Sequence, residues 1–483
     1  MLFNSIDFAV FLPLVFVFYW FLFQKNLGAQ NTFLAIVSYV FYGWWDWRFL
    51  SLIIFSTLID YTIGLQLDKT KSILQRKLLL WTSVIINLGF LGFFKYFNFF
   101  LDNFIQAFSF FGQDISSSSL NIILPVGISF YTFQTLSYTI DIYRKQLQPT
   151  KNFIAFSAFV SFFPQLVAGP IERATNLLPQ FYKKRQFDKS NAILGLRQIL
   201  WGLFKKIVIA DNCAEIANEI FNNSDSYGGT TLIVGAIMFT FQIYGDFSGY
   251  SDIAIGVARL FGFKLMKNFA FPYFSRDMAE FWRRWHISLS TWFRDYLYIP
   301  LGGSHGSLLI KVRNIFIIFI VSGFWHGANW TFVAWGTLNA VYFLPLLLLK
   351  RNRVHTGDIS DKSVFPTFME LSQMLFTFSL TVLAWVFFRA DSITHALLFI
   401  GNSINGLLEV KNYFETYHML IGIIPVLIIL IIFILIEWRG RKTAFAIYSL
   451  SSYRYLNTAF YYVILMTLYF YSGKPQEFIY FQF

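Results

Sequence analysis

Apolar runs of about twenty residues, separated by short polar connections, recur along the whole chain. They fall near residues 6–24, 31–58, 78–108, 121–141, 152–170, 195–220, 230–262, 308–324, 327–349, 366–390, 418–437 and 455–472. Each is long enough, as a helix, to cross roughly 30 Å of hydrocarbon. The pattern predicts an all-α, polytopic integral membrane protein with about eleven or twelve transmembrane helices in a single membrane domain over 1–483. The first run, within MLFNSIDFAVFLPLVFVFYWFLF, has no basic leader and no small-residue cleavage site, so it is expected to be a retained helix.

Between 263 and 307 the character changes. In DMAEFWRRWHISLSTWFRDYLYIPLGGS, Phe281, Trp282, Trp285, Leu289, Trp292, Phe293 and Tyr296 recur at helical spacing, while Arg283, Arg284, Arg294 and Asp295 mostly lie off that stripe. An amphipathic helix at the membrane boundary is expected, ended by Pro300 and the glycine-rich loop after it. His286 falls with the aromatics, four residues after Trp282, and should point inward.

Three further segments carry Pro, Gly or charge inside apolar runs: LPVGISFYTFQTLSYTIDIYR, FFPQLVAGPIERA and YGDFSGYSDIAIGVARLFGF. Irregular backbone at membrane depth is tolerated where it is buried in protein or lines a cavity, so broken or re-entrant elements that build a cavity are expected here. Asp246, Asp252, Glu172, Arg173, Arg276, Asp277 and Glu280 are expected to pair and hold these segments in place.

Composition sharpens this picture. The chain is 56% hydrophobic, 21% aromatic and only 13% charged, far from a soluble domain. Its formal charge of +12 is concentrated in LDKTKSILQRK, YKKRQFDK, LKRNRVH and EWRGRK. By the positive-inside rule these connections face the cytoplasm and meet anionic lipid headgroups; nucleic-acid binding is not expected. Cys213, the single cysteine, reads as a plain core residue. No Asp/Glu/His cluster with metal-ligand spacing appears, so no metal is expected.

The candidate chemistry is histidine. His326 sits in SGFWHGANWTFVAWG among tryptophans and small residues, and a neutral imidazole held at membrane depth can accept a proton as a general base does. Gly323 and Gly327, four apart, are expected to let a neighbouring helix approach closely beside it. The alternative is a packing histidine satisfied by a backbone carbonyl. His286 has a boundary-anchor alternative. His305, His355, His395 and His418 read as loop or boundary residues.

The six segments LPVGISFYTFQTLSYTIDIYR, FFPQLVAGPIERA, YGDFSGYSDIAIGVARLFGF, NFAFPYFSRDMAEFWRRWHISLSTWFRDYLYIPLGGS, WHGANWTFVAWG and AWVFFRADS, in this order, resemble the membrane-bound O-acyltransferase family. The resemblance is closest to the bacterial branch of alginate O-acetyltransferase membrane subunits. It covers a catalytic core of about 121–391, with additional C-terminal helices over about 410–475.

The resemblance implies a ring of transmembrane helices around a thinned centre, where short re-entrant and amphipathic helices line a tunnel. It places the family's two polar catalytic positions on His326 and His286. Trp325, Asn329, Trp285, Ser290, Arg294, Gln165, Glu172, Asp246 and Ser248 are the expected substrate and tunnel residues. The implied activity moves an acetyl group from cytosolic acetyl-CoA across a bacterial cytoplasmic (inner) membrane to a hydroxyl of a polysaccharide, through an extracytoplasmic hydrolase-like acetyltransferase partner. No bound cofactor is implied. D-alanyl transfer to teichoic acid, as in a sister branch, is the near alternative. A transporter or flippase, or a scaffold indifferent to both histidines, is the alternative from another class.

Overall fold

The computed structural model describes residues 1–110, 120, 122–360, 363–448 and 453–479. Among them every regular element is helical. They divide into two compact units, 1–195 with 257–266, and 196–256 with 267–483.

The first unit contains α1 (Ile6–Val17), α2 (Leu27–Gly43), α3 (Leu50–Lys69), α4 (Ile73–Leu91), α5 (Phe97–Phe110), α6 (Ile128–Tyr143), α7 (Phe153–Ser161), α8 (Phe163–Leu166) and α9 (Ala174–Leu177). Side chains that receive orphan N–H groups fix several starts: Ser5 accepts from Phe8 N, Asn26 from Ala29 N and Asn152 from Ala155 N.

The run expected over 31–58 is two helices. Asp46 takes the Arg48 amide and starts a new turn after α2, so a side chain that competes for backbone donors splits an apolar stretch that hydropathy reads as continuous. The span expected over 121–141 yields irregular chain and then α6; its first residue lies outside the described residues. As expected, FFPQLVAGPIERA is broken, with α7 ending at Ser161, just before it, and irregular chain following α8.

At the centre of α3, the buried Asp60 carboxylate accepts hydrogen bonds from Ser83 Oγ (2.5 Å) and Asn87 Nδ2 (2.9 Å) of α4, and from Thr139 Oγ1 (3.2 Å) of α6. Three helices are thereby joined through polar groups that would otherwise face hydrocarbon.

The second unit holds most of α10 (Lys189–Leu203), α11 (Asp211–Asn222) and most of α12 (Gly229–Leu260). There follow α13 (Met278–Arg284), α14 (Ile287–Phe293), α15 (Leu308–His326), α16 (Trp330–Leu348), α17 (Phe368–Arg389), α18 (Ile393–Asn405), α19 (Val410–Gly422), α20 (Ile424–Gly440) and α21 (Arg454–Phe470).

Two expectations are corrected here. The YGDFSGYSD segment is not broken: it lies inside the continuous 32-residue α12. Its glycines serve close packing instead, since a Cβ on Gly245 would lie 2.9 Å from Lys205 O and one on Gly249 2.8 Å from Gly202 O. Conversely, the single amphipathic helix expected over 278–296 is interrupted. Trp285 is extended and His286 is left-handed (φ 43°, ψ 54°), which separates α13 from α14.

Among the described residues six helices are long and apolar enough to cross a membrane: Trp47–Lys69, Ile73–Ser109, Gly229–Leu260, Leu308–His326, Trp330–Leu348 and Phe368–Arg389. The α19–α20 pair, bent by 78°, makes up to a seventh, and Ile6–Leu22, Phe153–Leu166, Ile393–Leu408 and Tyr455–Phe470 are shorter apolar helices. The chain is a multi-pass, all-helical membrane protein. The expected count of eleven or twelve includes segments that the structure folds as short helices, below the ~20 residues a straight crossing needs.

Candidate active site

His326 is the last residue of α15, and the chain reverses through Gly327–Asn329 into α16. The two helices touch backbone to backbone. A Cβ on Gly323 would sit 2.2 Å from Phe332 O, and one on Gly336 2.2 Å from Phe319 O. The small-residue contact is therefore Gly323 with Gly336, not Gly323 with Gly327. Gly327 lies beyond the helix end in extended backbone, and the Phe332 ring fills the space beside it. Asn329 caps α16 by accepting from Thr331 N (3.0 Å), and its Nδ2 donates to Asp391 O (3.0 Å), anchoring the turn that follows His326.

The His326 imidazole is buried in an aromatic cage. Ring centroids lie 5.1 Å away for Trp325, 5.2 Å for Trp335 and 5.4 Å for Phe388, all edge-on. Trp335 in turn stacks on Trp385 at 5.5 Å, so α16 and α17 supply a rigid wall.

His286 is equally buried. Phe247 of α12 stands perpendicular to its ring at 4.6 Å, and Trp325 lies 6.2 Å away. The same indole therefore contacts both imidazoles, although the two histidines are forty positions apart in sequence. Nδ1 of His286 lies 3.1 Å from Asn268 Oδ1. Burial in these surroundings pushes the His286 pKa down to about 3, so the ring is neutral at physiological pH.

Trp285 and Ser290 belong to the same region. Trp285 is buried against Phe281, Phe269, Tyr273 and Trp385, and Ser290 Oγ donates to Trp285 O. Ser248 is buried and lines a small cavity of about 20 Å³ with Lys205, Ser251, Asp252, Lys267, Asn268 and Glu437.

The charged residues pair largely as expected. Asp252 meets Lys205 at 2.5 Å, Arg276 meets Glu280 at 2.9 Å, and Asp277 caps α13 through Glu280 N. Asp246 shares the Lys206 ammonium with Asp211, at 2.8 and 2.9 Å, and also receives Ile479 N.

Arg294 is not brought to the histidines. Its side chain is more than half exposed and pairs with the adjacent Asp295 at 2.7 Å, because the π-helical turn after α14 directs it outward. Gln165 and Glu172 belong to the first unit. Gln165 Nε2 donates to Phe159 O, while Glu172 accepts from Asn176 Nδ2 and from the amide of Met266.

Sequence reasoning missed Asn268, Trp335, Trp385 and Phe388 near the histidines. It also missed the buried lysines Lys205 and Lys206, which a pair of lysines within the apolar LFKKIVIAD stretch does signal.

Residues 57–388 match the model of the membrane-bound O-acyltransferase family. The chain is 41% identical over 399 residues, 81% of its length and 76% of the relative's, to an Azotobacter vinelandii protein named probable alginate O-acetylase. It is 37% identical over 426 residues, 82% and 78% of the two chains, to the peptidoglycan O-acetyltransferase of Helicobacter pylori. A teichoic acid D-alanyltransferase of Streptococcus thermophilus is 30% identical over 235 residues, 45% of this chain and 55% of the relative. The match covers α15, whose last residue is His326, and the chain belongs to the membrane-bound O-acyltransferase family and is an acyltransferase.

Proposed function

We propose that this protein takes an acetyl group from acetyl-CoA on the cytosolic side of a bacterial inner membrane and passes it to a hydroxyl on the outer side, on a polysaccharide or on a partner protein that completes the transfer. The observation that carries this reading is the meeting of two buried histidines on one indole, Trp325. The 1–483 chain acts as one membrane domain, and its 121–391 core carries the chemistry.

In this reading His326 is the general base. It takes the acceptor hydroxyl proton as the oxygen bonds to the thioester carbonyl carbon; the C–S bond then breaks, and the departing thiolate receives the proton to give free CoA thiol. His286 orients the reacting groups. Trp325, Trp285, Ser290 and Ser248 shape the site, and Asn329 holds its turn. The Azotobacter vinelandii and Helicobacter pylori relatives, which each cover most of this chain, are named for O-acetyl transfer, to alginate and to peptidoglycan, which supports an acetyl donor and a glycan acceptor over D-alanyl transfer. Gln165, Glu172, Asp246 and Arg294 are assigned structural rather than substrate roles, because each has its own pairing.

The test uses inverted membrane vesicles that expose the cytosolic face. Labelled acetyl-CoA added outside should deliver label to a luminal glycan or protein in the wild type, and fail to do so with His326→Ala. Equal luminal label from both would contradict the proposal.

A further inference from the structure

We propose that Asn268 is a positioning residue that fixes His286 in its Nδ1–H tautomer and so leaves Nε2 as the hydrogen-bond-accepting atom that orients the reacting groups. This rests on the functional reading of His286 given above.

The left-handed His286 starts α14 without capping it through its own side chain. The orphan donors go to Asn268 instead. Its backbone carbonyl accepts from Ile287 N (2.8 Å), and its side-chain carbonyl accepts from Ser288 N (3.3 Å) and Ser288 Oγ (2.9 Å). Its amide nitrogen points the other way and donates to Ser251 Oγ at 3.0 Å.

A backbone N–H can only donate, so the Asn268 atom facing Ser288 N must be the oxygen, and the amide cannot be turned over. His286 Nδ1 lies 3.1 Å from that same oxygen. It must therefore donate. A neutral imidazole carries one ring proton, which places the lone pair on Nε2. In this state His286 accepts a hydrogen bond from a substrate O–H or N–H and cannot donate one to a developing oxyanion.

The ring is faced by Phe247 from α12, Phe269 and Asn268 from the preceding connection, Ser288 from its own helix and Trp325 from α15. The ionisable groups around this set include His326, which shares Trp325, and Lys205, Tyr244, Asp252, Lys267 and Glu437, which line the cavity bordered by Asn268 and Ser251. Burial lowers the ring pKa to about 3, which keeps the single-proton state through the physiological range.

The experiment compares full-length wild type, Asn268→Asp, Asn268→Leu and His286→Ala in lipid nanodiscs. It reads ¹⁵N-histidine spectra, with the His286 signals assigned by their loss in His286→Ala, and transfer from labelled acetyl-CoA across pH. Asn268→Asp keeps an acceptor for Nδ1–H. It is expected to retain the tautomer and most of the rate, with the acid limb of the profile moved to higher pH, because a carboxylate favours the imidazolium. Asn268→Leu is expected to mix the tautomers and lose roughly tenfold or more in rate, as supporting residues of catalytic groups do.

An unchanged tautomer and rate in Asn268→Leu, with His286→Ala inactive, would overturn the role of Asn268. Full activity in His286→Ala would instead overturn the functional reading of His286, while the spectra still decide the tautomer. If Asn268→Leu does not fold, the Asn268→Asp profile decides: an acid limb that stays in place overturns the proposal.

Discussion

The indole of Trp325 stands edge-on to the imidazole of His326, with ring centroids 5.1 Å apart at 77°, and the same indole lies 6.2 Å from His286. One buried side chain thus backs both candidate catalytic rings. Trp325→Ala should cost about 3–5 kcal/mol in stability, as other large aromatic deletions in packed interiors do. It should also lower transfer below that of Trp325→Phe, which keeps a ring in place. Thermal unfolding and initial transfer rates of the two variants check this.

Helices α15 and α16 are held together at Gly323 and Gly336, where added methyl groups would collide with backbone carbonyls. Gly323→Ala and Gly336→Ala should each destabilise by about 1–3 kcal/mol through overpacking. Gly401→Ala, in α18 with open space around the added methyl, should be neutral or stabilising by up to ~1 kcal/mol. Melting temperatures of the three purified variants separate these outcomes.

Lys206 joins two buried carboxylates, Asp211 and Asp246, and its Nζ also donates to Gln476 O. Lys206→Met removes the ammonium but leaves both acids buried, which should cost about 3–5 kcal/mol. Adding Asp211→Asn and Asp246→Asn should recover part of that loss. Denaturation of the single and triple variants, measured side by side, tests the assignment.

His286 binds a proton at about 3 in the folded protein, against about 6.5 for an unperturbed histidine. Between these values the unfolded chain holds one more proton than the native state, so this group's contribution is present above pH 6.5 and is lost as pH falls toward 3. Acidification from pH 7.5 to 5 should therefore destabilise the wild type by up to about 2 kcal/mol through this residue, at ~1.4 kcal/mol per pH unit below 6.5. His286→Gln should show a correspondingly smaller loss over that interval in melting experiments.

The membrane character, the inward placement of His286 and the charge pairing could be read from apolar runs and helical spacing, because those signals are local. The break at His286 could not. The aromatic stripe continues on both sides of it, and the left-handed residue is held by Asn268, which sits eighteen positions earlier. The continuity of α12 was hidden for the opposite reason. Glycine and aspartate in YGDFSGYSD look like breaks in hydropathy, yet the glycines admit neighbouring backbone and Asp246 and Asp252 meet lysines supplied from 205 and 206. The cage around His326 draws Trp335 and Phe388 from two other helices, with Trp385 stacked behind Trp335, and this convergence rests on the Gly323–Gly336 contact and the turn at Asn329 rather than on spacing within any one segment.

The most direct test of the two-histidine site is the initial rate of acetyl transfer by purified wild type, His326→Ala, His286→Ala and the double variant, at equal folded concentration. Residues acting as one unit give non-additive losses. His326→Ala should fall by about 10²–10⁴-fold, as removal of a general base does, and the double variant should be little slower than His326→Ala alone. A double variant slowed by the product of the two single effects, or a His326→Ala protein close to wild type, would contradict the account.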